Sequence, residues 1–348
     1  MSLYVNIKKH LKNFDLSVEF ETGKEPFAIL GASGCGKSMT LKCIAGIEKP
    51  DEGQIILNDR VLYDSEMGIN LPPQKRKVGY MFQDYALFPN MTVEQNIMVG
   101  KETKKQAIEY IEKFQLTGLE KHYPHQLSGG QKQRTAMARM LASNPEVVLL
   151  DEPFAALDSY MKWEIELEMQ ELLAEIEKLV VYVSHNRNEV YHLCKTIGAM
   201  NKGHMEVIEP VKEFFDNPKT KTAAILSGCK NISAVEKIDE THLFAKDWQV
   251  ELQVEDIPEG TNYVGIRAHY FERKLNKESN IDYNKEVTAT FPIKNYRINE
   301  EPFEWNISFQ TKEDAAWMLW KIAKRINEEK PVIPDKLTID KANILFLR

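Results

Sequence analysis

The sequence predicts an α/β fold with a mostly parallel sheet and a helical insert, followed by a small C-terminal β-barrel. Three observations predict it. Short apolar runs alternate with helical patterns over the first two-thirds of the chain. A glycine-rich turn joins one such run to a helical pattern. Near residues 227–229 the text changes to alternating segments punctuated by Asn and Gly. The 348 residues suit two domains at about 150 residues each, placed at 1–228 and 229–348.

Residues 27–30, 78–82, 147–150, 180–183 and 197–200 are apolar runs and read as buried strands. Helical patterns cover 39–45, 132–141 and 161–179, the last with Trp163, Leu167, Leu172, Ile176 and Leu179 at helix-like spacings. A more helical insert occupies about 93–145. In the second domain, 241–254, 263–271, 286–293, 303–309 and 342–347 read as strands. A helix is expected over about 313–328, with Ala316, Leu319, Trp320 and Ala323 on one apolar face and Trp317/Trp320 as core.

The 45 Lys and Arg against 52 Asp and Glu give a net charge of −7 and a pI near 5.8. No basic excess is available to neutralise a long phosphate backbone, so no nucleic-acid partner is expected. Hydrophobic residues at 43% exclude whole-chain disorder. No apolar run approaches the roughly 20 residues that span a bilayer. Residues 1–12 lack the apolar stretch of a secretory signal. Cys35, Cys43, Cys194 and Cys229 show no metal-like spacing and read as free thiols of a reducing cytoplasm.

Gly31-Ala32-Ser33-Gly34-Cys35-Gly36-Lys37-Ser38 fits the phosphate-loop pattern G-x-x-x-x-G-K-[ST], between a strand and a helical pattern as the motif requires. This makes the first domain an α/β P-loop NTPase. Glycines let the backbone wrap an anion, and amide N–H groups at a helix start point at it. Lys37 is placed to reach β/γ-phosphates and Ser38 to ligate Mg²⁺. Cys35 is either a small filler or a redox-sensitive thiol.

Residues 147–150 end in Asp151 and Glu152. Asp151 suits a Mg²⁺ shell, and Glu152 suits a general base for an attacking water. His185 follows 180–183 and can donate to a γ-phosphate. Gln83 follows 78–82, and its amide can ligate Mg²⁺ or orient water. All these groups fall at carboxyl ends of expected strands, the edge where open α/β sheets bind ligands.

Leu127-Ser128-Gly129-Gly130-Gln131 opens a helical run and forms a second anion-directed site. With Gln83, Asp151, Glu152, His185 and Ala155-Ala156-Leu157-Asp158, these motifs resemble, in order and spacing over about 1–228, the ATP-binding subunit of an ABC transporter. The resemblance implies ATP and Mg²⁺ as cofactors. It implies a head-to-tail homodimer with each ATP between Lys37 of one chain and Ser128 of the other, and Asp158 at the interface. Partners then include membrane permease subunits and, indirectly, an external solute-binding protein, with the chain on the inner face of the cell membrane. Two departures stand out. The alignment places Leu11, with His10 and Phe14 beside it, where such importers stack an aromatic on adenine, and Met39 stands where Thr is common.

Residues 57–65 and 71–93 are similar to molybdate importer ATPases and less closely to sulfate, iron and polyamine ones. The apolar stretch 85–91 is either a permease contact or packing under the insert. Residues 229–348 resemble the OB-like, TOBE-type barrel of such importers, although Ala268-His269 replaces its usual Pro-Glu. That barrel either stabilises a dimer or binds the transported oxyanion, for which Lys230, Asn231 and Ser233 are candidates. The competing readings are a sulfate, iron or polyamine importer ATPase, a non-transport relative acting on nucleic acid or ribosomes, and an exporter ATPase. One phosphate loop, no heptad array and no cysteine cluster favour the importer.

Overall fold

The computed structural model describes residues 1–100, 103–155, 159–273, 287–324 and 330–348. The chain divides into two compact units, Met1–Lys212 and Glu213–Arg348. The pattern change at 227–229 lies inside the second unit, because Ala224 and Cys229 share a buried cluster with Leu345 and Leu347.

In chain order the first unit holds β1 (Leu3–His10), β2 (Asp15–Thr22), β3 (Phe27–Gly31), α1 (Lys37–Ala45), β4 (Glu52–Leu57), β5 (Arg60–Asp64), β6 (Ile69–Asn70), α2 (Pro73–Arg76) and β7 (Val78–Met81). Then follow α3 (Val93–Met98), α4 (Lys104–Lys113), α5 (Gly129–Ala142), β8 (Val147–Asp151), α6 (Ser159–Glu175), β9 (Leu179–Ser184), α7 (Arg187–Leu193), β10 (Thr196–Asn201) and β11 (His204–Pro210). The strands form one sheet, in the order β6-β5-β4-β1-β2-β11-β10-β3-β9-β8-β7. The insert expected at about 93–145 is α3 to α5, between β7 and β8.

The sheet is mixed rather than mostly parallel. Strands β10, β3, β9, β8 and β7 pair in parallel, while β6, β5, β4, β1 and β2 pair antiparallel. Strands β3, β8, β9 and β10 are buried along nearly their whole length and therefore read as apolar runs, whereas β7, at the edge, buries alternate residues. The antiparallel ones bury alternate residues, such as Leu3, Val5 and Ile7 or Leu16, Val18 and Phe20, with polar residues between them. That short alternation is the weaker sequence signal.

Helix α6 stops at Glu175, and Leu179 opens β9 instead of closing the helix. The buried stripe of α6 is Ile165, Met169 and Leu173, whereas Trp163 and Leu167 are exposed. Both stripes have helical spacing; the buried one borders the cleft shared with Met137 of α5, and α6 packs on α7.

Register levels the strand ends. Leu30 pairs with Ser184, Val183 with Asp151, and Leu150 with Met81. The carboxyl ends of β3, β9, β8 and β7 therefore share one edge.

Helix α8 (Val211–Asp216) begins in the first unit and ends in the second, which then holds α9 (Lys221–Leu226), β12 (Asn231–Lys237), β13 (His242–Ala245), β14 (Val250–Gln253), β15 (Tyr263–Ile266), β16 (Glu272–Arg273) and β17 (Val287–Pro292). The second unit ends with β18 (Asn295–Glu300), β19 (Glu304–Gln310), β20 (Met318–Ala323), β21 (Lys336–Asp340) and β22 (Ile344–Leu347). The sheets run β14-β13-β12-β15-β22, β16-β21-β17 and β18-β19-β20. They share a core that includes Trp248, Phe291, Phe309 and Trp320.

Two expectations fail here. Residues 241–254 form the hairpin β13–β14 rather than one strand. The helix expected over 313–328 is absent from the described part of that range, where β20 lies and pairs Met318 with Phe309 and Trp320 with Ile307. The spacing of Ala316, Leu319, Trp320 and Ala323 fits a helix, but the period-2 pair Met318/Trp320 meets the core. Trp317 consequently faces outward, under the Arg297 guanidinium at 4.7 Å.

Candidate functional site

Residues 31–38 leave β3 and enter α1. Gly31 has no room for a side chain, since a Cβ there would stand 2.4 Å from the Met200 carbonyl oxygen. Gly36 adopts φ 112°, a conformation side chains rarely enter, and caps α1. Ala32, Ser33 and Gly34 are exposed, while Cys35 is buried and Met39 packs on the core. Burial pushes the Cys35 thiol up, and the Lys37 charge opposes that shift. Lys37 is buried. Its Nζ donates to the Gly31 and Ala32 carbonyls at 2.9 and 3.0 Å and stands 3.8 Å from Glu152 Oε1.

Asp151 ends β8. Its Oδ1 accepts from Ser38 Oγ at 2.7 Å and its Oδ2 from the Tyr80 hydroxyl at 2.8 Å. Burial, and then the Asp151 carboxylate, push the Tyr80 phenol far above its ordinary value, so it stays a donor. Glu152 comes next, at a left-handed φ of 46°. Its N–H donates to the Val183 carbonyl at 3.0 Å, and its Oε2 lies 3.0 Å from His185 Nδ1. Strain of this kind in a non-glycine residue concentrates at functional sites.

The structure thus brings Lys37, Ser38, Asp151, Glu152 and His185 together. Strand β7 carries Gln83 to the same edge, but its side chain is exposed, and no hydrogen bond among the described residues joins it to Asp151 or Ser38. Tyr80 takes that place beside Asp151. Its signal in the sequence is only a hydroxyl inside an apolar strand. Of the residues near the expected adenine contact, Leu11 packs on the core and the His10 ring meets Asp15. It is Phe14 whose ring lies beside the loop, 3.4 Å from the position of a Cβ on Gly36.

Ser128 caps α5. Its hydroxyl accepts from the Gln131 N–H at 3.3 Å, and the Gln131 side chain accepts from the Ser128 N–H at 2.9 Å. Gly129 and Gly130 open the helix, whose positive end is available to an anion. Among the described residues no hydrogen bond links this group to the loop of residues 31–38. Asp158 lies outside the described residues.

In the stretch 85–91, Tyr85 and Ala86 are left-handed, and Arg139 donates to both of their carbonyls. Tyr85 is buried, whereas Phe88 and Met91 face outward. In the second unit Lys230 is exposed, but Asn231 and Ser233 are buried. Asn231 donates to the Ile266 and Leu319 carbonyls, and Ser233 accepts from the Asp247 N–H. Backbone groups thus occupy both.

Among the described residues no helix is long and apolar enough to cross a membrane. The ABC transporter family model matches residues 12–155. A spermidine/putrescine import ATP-binding protein, PotA of Bacillus cereus, is 34% identical over 92% of this chain and 93% of its own length. A sulfate/thiosulfate import ATP-binding protein, CysA of Synechococcus elongatus, is 35% identical over 89% and 92%. A dimeric ATP-binding cassette, MJ0796, solved in a post-hydrolysis state bound to ADP and Pi, is 30% identical, with a TM-score of 0.51 over 61% of this chain and 99% of that one. ABC ATPases bind ATP and use Mg²⁺ in its hydrolysis, so ATP and Mg²⁺ are the cofactors. With near full-length similarity to import ATP-binding proteins and a phosphate loop, acidic strand end and histidine on one sheet edge, the chain belongs to the ABC transporter family as an ATP-binding subunit of the import type.

Proposed function

We propose that this chain hydrolyses ATP to energise uptake of an oxyanion, molybdate first, as a head-to-tail homodimer docked on permease subunits at the inner face of the membrane. The carrying observation is the set of polar contacts from Ser38 to Asp151 and from Lys37 through Glu152 to His185.

Mg²⁺ supplies charge neutralisation on the phosphates. Ser38 and Asp151 would hold it. Both offer hard oxygens, and among the described residues no group of three or more His, Cys, Asp or Glu builds a closed metal cage. An open oxygen site suits an ion that keeps waters and phosphate oxygens. Lys37 binds the β/γ-phosphates, and the loop from Gly31 to Met39 wraps them. Glu152 accepts a proton from the attacking water, His185 steadies that carboxylate and faces the γ-phosphate, and Gln83 serves as Mg²⁺ or water ligand from its turn. Ser128, Gly129, Gly130 and Gln131 complete the site of the second protomer, with Asp158 between the two. Phe14 is the adenine contact. Phe88 and Met91 are the permease contact, with solute delivered by an external binding protein. The second unit is an OB-like, TOBE-type domain whose role is dimer support, because Asn231 and Ser233 are committed to backbone.

Molybdate rests on residues 57–65 and 71–93. A second reading, polyamine or sulfate as cargo, is favoured by what the full-length relatives are named for. Two experiments test the proposal. Glu152→Gln is expected to bind ATP, lose turnover by about 10²-fold or more and trap a dimer; wild-type turnover would remove Glu152 from the base role. Deleting the chain in its own cell is expected to abolish molybdate uptake. Loss of spermidine or sulfate uptake instead reassigns the cargo.

A further inference from the structure

Asp151 is a buried carboxylate with a hydroxyl on each oxygen, Ser38 on Oδ1 at 2.7 Å and Tyr80 on Oδ2 at 2.8 Å. The two donors differ in kind. Ser38 sits at the start of α1, on the loop that wraps phosphate, and its oxygen is the one offered to Mg²⁺. A hydroxyl oxygen that ligates a cation directs one lone pair at it, so the Ser38 oxygen is shared between the carboxylate and the ion. Tyr80 stands on β7, beside β8, with its neighbours Gly79 and Met81 paired to Val148 and Leu150. Its ring packs on the core cluster and lies 4.5 Å from the Phe82 ring, just before Gln83. The hydroxyl is therefore held by strand pairing and core packing as well as by its bond to Asp151.

We infer that Tyr80 is a positioning residue for Mg²⁺: its hydroxyl, fixed by the β7 packing, holds the Asp151 carboxylate turned so that Oδ1 faces Ser38. This rests on the assignment of Ser38 and Asp151 to Mg²⁺ proposed above. Partners of metal ligands that fix carboxylate orientation set affinity without touching the ion.

The test is Tyr80→Phe in the full chain, which keeps the ring. Binding of a fluorescent ATP analogue is measured across Mg²⁺ concentrations and in EDTA. The Mg²⁺ needed for half-maximal strengthening of binding is expected to rise about tenfold, while affinity in EDTA and the melting temperature stay close to wild type. Spin resonance of Mn²⁺ with the nucleotide present is expected to report a matching loss of Mn²⁺ affinity. Unchanged Mg²⁺ dependence in Tyr80→Phe, with a normal wild-type response, overturns the inference. Equal weakening with and without Mg²⁺ also overturns it, because a merely structural role would produce that. A wild-type chain whose nucleotide binding ignores Mg²⁺ overturns the assignment of Ser38 and Asp151 instead. Should Tyr80→Phe fold poorly, Phe82→Leu provides the second measurement: it removes the ring contact, keeps the hydroxyl and is expected to leave the Mg²⁺ requirement within about twofold of wild type. A tenfold rise there would assign the effect to packing and overturn the role of the hydroxyl.

Discussion

Glu152 reaches His185 from a left-handed backbone: Oε2 lies 3.0 Å from Nδ1 while φ is 46°. A non-glycine residue held there carries about 1–3 kcal/mol of strain, sustained by its surroundings. Here those are the Val183 carbonyl, which accepts the Glu152 N–H, and the Ala155 N–H, which donates to the Glu152 carbonyl. At an ordinary site glycine is less stable than alanine by about 0.5–1 kcal/mol. At 152 the order is expected to invert, with Glu152→Gly melting above Glu152→Ala by about 2–4 °C. Both variants lose the carboxylate, so thermal denaturation of the pair isolates the backbone term. Alanine melting higher would show that the turn is unstrained.

Gln133 is buried on α5, and among the described residues neither its amide nitrogen nor its oxygen has a hydrogen-bond partner. It borders a cleft lined by Phe114, Met137 and Met169. A desolvated, unpaired amide costs about 1–3 kcal/mol. Gln133→Met keeps the volume and removes the polar atoms, so it is expected to raise the melting temperature by a few degrees, at about 2–4 °C per kcal/mol. A fall in melting temperature would mean that ordered water satisfies the amide.

What was legible follows from where each group sits. Lys37, Ser38, Asp151 and His185 each follow an apolar run, and a parallel strand that must be apolar announces its own end. Tyr80 was not legible, because a hydroxyl within Val-Gly-Tyr-Met looks like core until register sets it beside Asp151. Phe14 was seen only as a neighbour of Leu11. Its approach to Gly36 depends on the turn between β1 and β2, closed by the Leu11 N–H on the Phe14 carbonyl, and that is a tertiary outcome. The false helix at 313–328 and the wrong stripe on α6 share one cause. Residues 316–323 and 163–179 each carry more than one apolar spacing, and only the packed neighbours decide which is used, β19 for the first and the helices α5 and α7 for the second.

His10 is exposed, and its imidazole is raised above its ordinary value, first by the hydrogen bond to Asp15 and then by that carboxylate's charge. A raised value in the folded state means that the contact stabilises below the unfolded value and is lost as pH rises through the folded one. Proton NMR of the His10 ring is expected to give a midpoint above that of a free histidine, and Asp15→Asn is expected to lower it. An unmoved midpoint in Asp15→Asn would assign the shift to Asp51 and Glu52 instead.

Asn96 is fully buried on α3 and organises the loop that presents Phe88 and Met91. Its Nδ2 donates to the Phe88, Met91 and Thr92 carbonyls at 3.2, 3.0 and 3.0 Å, and its Oδ1 accepts from the Phe88 N–H at 2.9 Å. No single replacement restores all of these. Asn96→Ala leaves several backbone groups unpaired and is expected to cost about 2–4 kcal/mol. The proposed hydrolytic residues lie on other elements, so ATP turnover by the free chain is expected to stay within about twofold, whereas uptake in cells falls by about tenfold or more if the proposed permease contact at residues 85–91 loses its shape. Comparing the two assays at a temperature where the variant remains folded separates the effects. Turnover and uptake falling together would place Asn96 in general stability, and uptake unchanged despite a lower melting temperature would remove residues 85–91 from permease coupling.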